Sequence, residues 1–146
     1  MVHALEEIHR LLTPDGRLID IHPVREAPLI KVLRRGAVMF SEPAPDHDGD
    51  DYRHADAAVA NVVRRGLFAV EHRTEFDFVT HAASIAELQE YLEESNAYEH
   101  AAKDQSRAAQ DAAVARRVEQ VMRASGRGAT VVHQERTQIA RLKPIR

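Results

Sequence analysis

VHALEEIHRLLTPDGRLIDIHP, residues 2–23, sets the reading of the whole chain. Val2, Leu5, Ile8 and Leu12 recur every three or four residues, which predicts an amphipathic helix with Glu6, His9 and Arg10 turned to solvent. Pro14 disfavours helix at Thr13, so Thr13-Pro14-Asp15-Gly16 reads as a tight turn with proline in its second position. Leu18-Ile19-Asp20-Ile21 then reads as a short strand, largely buried, with Asp20 a polar intruder. An apolar run of this kind suits a central strand of an α/β sheet.

Working outward, Leu29–Leu33 and Ala37–Phe40 flank Arg34-Arg35-Gly36, the pattern of a β-hairpin. SEPAPDHDGDD (41–51) is a loop rich in proline, glycine and acid, and connects parts of one domain. A helix from about Asp51 to Arg65 carries Ala55, Val59, Val62 and Val63 on one face and stops at Gly66. Phe68 to Thr80 alternates: Phe68, Val70, Phe76 and Phe78 share one parity, Glu71, Arg73, Glu75 and Asp77 the other, which predicts a long strand with one wet face. Ser84-Ile85-Ala86-Glu87 is a capping box opening a helix with Ile85, Leu88, Tyr91 and Leu92 inward. An alanine-rich helix over about Ala97–Ala124 buries Val114, Val118, Val121 and Met122. The β-branched run Ala129–Leu142 is expected to pair antiparallel with the Phe68–Thr80 strand.

The bulk composition limits what the chain can be. Its 146 residues suit one domain with a real core, and 44% apolar with 29% charged residues is the profile of a globular protein. A net charge of −3 with scattered basic residues gives no reason to expect nucleic acid. No apolar run approaches a membrane span, and the N-terminus does not resemble a signal peptide. The absence of cysteine excludes disulfides, thiolate zinc sites and cysteine nucleophiles. These features point to a cytoplasmic protein.

The stretch ALEEIHRLLTPDGRLIDI (4–21) resembles the segment of class I S-adenosylmethionine-dependent methyltransferases that follows their fourth strand. In that family a helix bearing a glutamate, an arginine and two leucines runs through a proline-glycine-glycine turn into the fifth strand. Glu7, Arg10, Leu12, Pro14 and Gly16 stand where the pattern wants them, and Asp15 replaces the middle glycine, a residue that tolerates the left-handed conformation. The close match covers about the first twenty residues; beyond them the helix order and the terminal pair of long strands are compatible with the family's sixth and seventh strands. The resemblance implies an α/β fold, α+β as a fragment: a partial Rossmann-like methyltransferase sheet, mixed with a long antiparallel C-terminal strand pair, with helices packed on it. It identifies residues 1–146 as a C-terminal domain of that kind, with the cofactor-binding half outside this chain.

The family holds its cofactor with a glycine-rich loop after the first strand and an acidic residue ending the second. Glycines let backbone approach the ligand, and a carboxylate takes the ribose hydroxyls. Here the one G-x-G, Gly126-Arg127-Gly128, lies after a helix and before a strand, the wrong context. No S-adenosylmethionine-binding residue is therefore carried over. In the parent fold the fifth strand is flanked by the fourth, so Leu18–Ile21 is expected to present an open apolar edge. Either the Leu29–Phe40 hairpin folds over it, or two copies pair there as a homodimer, the favoured reading.

Other constellations are thinner. Asp46, Asp48 and Asp50 occupy the first, third and fifth places of an EF-hand loop, but Asp51 replaces the glycine at the sixth and Ala57 the glutamate at the twelfth. Among nine histidines, His47 and His54 lie near Asp50 and Asp51, a spacing able to ligate a transition metal but short of a third or fourth ligand. A solvated acidic loop and surface histidines are the plainer reading of both. The carboxyl ends of strands are where sites collect in open α/β sheets, which makes Asp20, His22 and Arg25 the candidates for residual chemistry. Arg116-Arg117 and Arg123 read as charge matched to a helix C-terminus.

Three functions follow, in order. The first is a non-catalytic domain acting by self-association or protein interaction. The second is a methyltransferase subunit active with a partner that supplies the first strands. The third is a small-ligand binder with a pocket between the long strand pair and its helices.

Overall fold

The computed structural model describes residues 1–45, 50–95 and 105–146, without the side chains of 50, 51 and 105–107. The elements run α1 (Val2–Leu11), β1 (Leu18–Pro23), β2 (Leu29–Arg34), β3 (Ala37–Pro43), α2 (Asp50–Arg64), β4 (Phe68–Ala82), α3 (Ile85–Ser95), α4 (Gln105–Ser125) and β5 (Ala129–Pro144). The fold is α+β: among the described residues there are four helices and a five-stranded antiparallel sheet. Within the sheet β5 pairs β1, β2 and β4, and β3 extends β2. Two compact units divide the chain, and both long strands contribute to each.

The first unit holds α1, β1, α2, residues 68–77 of β4 and 136–144 of β5. Its core is Leu5, Ala58, Val59, Val62, Phe68, Ala140 and Leu142. α1 ends at Leu12, whose backbone is already extended, and the predicted turn closes with Gly16 N–H donating to the Thr13 carbonyl at 2.9 Å. Space at Gly16 is tight: a Cβ there would lie 2.9 Å from Leu12 Cδ2, which can swing aside, and 3.1 Å from Thr13 O. Asp15 does not use the left-handed region that its resemblance to a glycine position suggested; Arg35 is the non-glycine residue that does. Arg146 donates to the His9 and Leu12 carbonyls, a cation on the helix C-terminus. His9 is not turned fully to solvent. Its Nε2 meets the Ile145 carbonyl at 2.9 Å and its ring stands edge-on to Phe68, centroids 5.3 Å apart.

β1 departs from the sequence expectation in a way that matters for the site. It pairs with β5 from Leu18↔Leu142 to Pro23↔Thr137, and alternation turns Leu18, Asp20 and His22 to the side of α2. Ile19 and Ile21 face the other way and are 49% and 57% exposed. The reason is topological: an antiparallel terminal strand with one covered face alternates, whereas only a strand covered on both faces is apolar throughout. Asp20 is therefore the inward residue and the isoleucines the outward ones.

The second unit holds β2, β3, the end of β4, α3, α4 and the start of β5 around Ile30, Val32, Ala82, Ile85, Leu88, Val114, Val118 and Val131. The predicted hairpin forms, with Arg34↔Ala37 closing it and Arg35 and Gly36 both at positive φ (50° and 82°), as a two-residue primed turn requires. Its pairing is not with β1. β2 instead pairs with β5 from Leu29↔Gln134 to Arg34↔Ala129, because its free backbone groups find a partner in the extended β5. Ser84 Oγ accepts from Glu87 N–H at 3.1 Å, while the Glu87 carboxylate accepts from Ala83 N–H, one residue earlier than a standard capping box. Tyr91, expected inward, is exposed; Leu88 and Leu92 fill that side of the helix. Arg117 is not merely charge on a helix end. It grips Glu42 of β3 through two nitrogens, at 2.6 and 3.1 Å, which raises the guanidinium further above its ordinary range.

Among the described residues no helix is long and apolar enough to cross a membrane.

Candidate functional site

Two features stand out: a buried histidine between carboxylates in the first unit, and a strand left open.

The histidine is His22, buried at the end of β1. Its Nε2 lies 3.2 Å from Asp56 Oδ1 on α2, and its Nδ1 lies 3.0 Å from Asp20 Oδ2. The Asp56 contact is a directed hydrogen bond; the Asp20 contact is close but lies off the N–H axis. Register explains how these side chains fit. Opposite Asp20 on β5 stands Ala140, which leaves room, and opposite His22 stands Gln138, buried, with its Nε2 unpartnered. Of the sequence candidates, Asp20 and His22 come together. Arg25 is exposed beyond the strand and makes none of these contacts. Asp56 and Gln138 escaped the sequence reading, since nothing in the pattern of a helix or a distant strand says which strand residue each will meet.

The chemistry follows from the placement of the ring. Its Nε2 is engaged by Asp56, which ties β1 to α2, and its Nδ1 lies against the Asp20 carboxylate without a directed hydrogen bond.

Metal binding gains no support. His54 is exposed on α2; the side chain of Asp50, and His47, Asp46 and Asp48 with the rest of the calcium-like pattern, lie outside the described residues. Among the described residues no group of three or more histidines and carboxylates is placed to hold a metal ion. In the second unit an open groove runs between α3 and α4, past Gln89, Glu93, Ala112, Ala115 and Arg116. It lies between two helices, not between the long strand pair and its helices.

The open strand is β4. It pairs with β5 alone, so its other edge carries unpaired backbone groups over fifteen residues. The expectation of one wet face fails here, for side chains from Val70 to Val79 are exposed on both parities, Phe76 at 38% and Phe78 at 48%. Among the described residues no helix buries them, whereas Phe68 at the start of the strand sits in the core. The charged residues are mostly answered from within the chain. Glu71 meets Arg17 at 2.7 Å and Arg141 at 3.1 Å, and the Arg17 hydrogen bond holds its carboxyl below the ordinary range. Glu75 and Asp77 share Arg136, at 3.1 and 3.2 Å. Arg73 has no ion-pair partner among the described residues.

Comparison with known proteins found no matching family model, no matching curated protein and no matching solved structure.

Proposed function

We propose that this chain is a non-catalytic, methyltransferase-related α+β domain that acts by self-association or by docking to another protein. The observation that carries the reading is the open edge of β4, with exposed phenylalanines and valines along it. An uncovered edge of that length and apolarity is a template for pairing with another chain. β1 offers a second, shorter edge at Leu18–Ile21, also bearing exposed isoleucines. The non-catalytic reading is supported by the hydrogen bond of His22 Nε2 to Asp56, which gives this buried ring a structural task in joining β1 to α2. The methyltransferase kinship rests on the resemblance of residues 4–21, and is supported by α1, the Thr13–Gly16 turn and β1 following one another as that resemblance implies. The same reading places the chain in the cytoplasm.

Light scattering at tens of micromolar protein tests it: a dimeric mass is expected, and a monomeric mass throughout the range overturns self-association. Calorimetric titration with S-adenosylhomocysteine tests the enzymatic rival, a methyltransferase subunit. No heat is expected, and a saturable signal near one ligand per chain overturns the non-catalytic reading.

A further inference from the structure

We infer that β4 pairs with β4 of a second copy of this chain, antiparallel, with the two-fold axis at Thr74. This rests on the self-association reading above and commits it to one edge and one register. A symmetric strand pair sets residue i against a fixed complement, and faces match only when the two have the same parity. Centring on Thr74 sets Val70 against the partner's Phe78, His72 against the partner's Phe76, and Thr74 against itself. It also sets Arg73, unanswered in its own chain, against the partner's Glu75, where two carboxylates share the single Arg136. The interface thus supplies the missing cation twice over. Glu71 then faces the partner's Asp77, each already held by an arginine of its own chain.

Neighbouring registers with matched faces answer Arg73 less well. Centring on His72 sets it against the partner's Glu71, which Arg17 and Arg141 already hold, and centring on Glu75 sets it against Asp77 but opposes the two copies of Glu75. Centring on Arg73 opposes the two arginines, and centring on Phe76 gives Arg73 no acid. Like charges directly opposed destabilise a strand pair, and the Thr74 register carries one such contact, Glu71 with the partner's Asp77, between carboxylates that each have an arginine of their own chain. The strand carries no proline, glycine or lysine to blunt the edge, and its backbone offers donors and acceptors along the whole exposed stretch.

Cysteine scanning tests the register cleanly, because the chain has no cysteine of its own. Directly opposed residues of an antiparallel pair have Cα atoms about 4.5–5.5 Å apart, inside the range a disulfide spans. Thr74→Cys is therefore expected to give a covalent dimer on mild oxidation. His72→Cys is not, since the two copies of residue 72 would be offset by four residues, about 13 Å. Both positions are exposed, so neither substitution threatens the core. Arg73→Glu is expected to weaken the dimer about tenfold, through two symmetry-related pairs that change sign. A dimeric mass in which His72→Cys cross-links as readily as Thr74→Cys, or neither does, overturns this interface and leaves self-association standing. A monomeric mass for the unmodified chain overturns both.

Discussion

Phe68 offers the sharpest test of how the first unit is held together. It is 1% exposed, surrounded by Leu5, Val59, Val62 and Leu142, with the His9 ring edge-on at 5.3 Å. Burying roughly 200 Å² of aromatic side chain at about 25 cal/mol per Å² is worth about 5 kcal/mol as an upper bound. Truncation keeps the Cβ and lets neighbours relax in part, so Phe68→Ala is expected to cost about 3–5 kcal/mol. That is a large share of the roughly 5–15 kcal/mol that holds an ordinary domain folded. Urea unfolding followed by far-ultraviolet circular dichroism reads it, since the chain has no tryptophan. With a slope of about 2 kcal/mol per molar urea, the midpoint should fall by about 2 M. A cycle with His9→Ala separates the ring contact from burial; the coupling expected is about 0.5–1.5 kcal/mol. A loss below about 1 kcal/mol for Phe68→Ala would refute the argument, for it would mean that the core does not close around this ring.

Four further outcomes can be checked by the same unfolding measurement. His22→Ala strands the carboxylate of Asp20 in a partly buried place and should cost about 2–3 kcal/mol, whereas Asp56→Ala, at a position water can reach, should cost less than about 1 kcal/mol. Ser84→Ala removes the hydroxyl cap of α3 and should cost about 1 kcal/mol. Gly66, at φ 75° just past α2, has open space where a Cβ would go, so Gly66→Ala should cost about 1 kcal/mol through backbone conformation alone. Glu71 and Glu135 should bend stability against pH in opposite senses. The lowered carboxyl of Glu71 contributes stability above the ordinary glutamate range that is lost as pH falls through its own titration, and Glu71→Gln should remove that acid-side loss. Burial raises Glu135, so its stabilising protonated form is lost as pH rises from the ordinary glutamate range through its raised titration, and Glu135→Gln should flatten that decline.

Local chemistry was legible in the sequence wherever a few adjacent residues decide the outcome. The three- and four-residue spacing of Val2, Leu5, Ile8 and Leu12 gave α1, Pro14 and Gly16 gave the turn, and Arg35-Gly36 gave the hairpin, because backbone sterics act over neighbours in the chain. The valines of α4 pointed to its buried stripe for the same reason. Asp20 and His22 could be flagged as polar residues at a strand end. What they do could not, since Asp56 lies thirty-four residues from His22 and Gln138 more than a hundred.

The sequence by itself determined the elements, their order and the antiparallel run of the two long strands. Tertiary structure decided which face of each strand is covered. The alternation of β1 and of β4 specifies two faces but not which one meets helices, and that choice turned Asp20 inward, Ile19 and Ile21 outward, and left both faces of β4 in water. Covering is a property of pairs of elements far apart in the chain. A strand's own residues record an alternation, and only the assembled sheet shows that β4 lies at its edge beside β5.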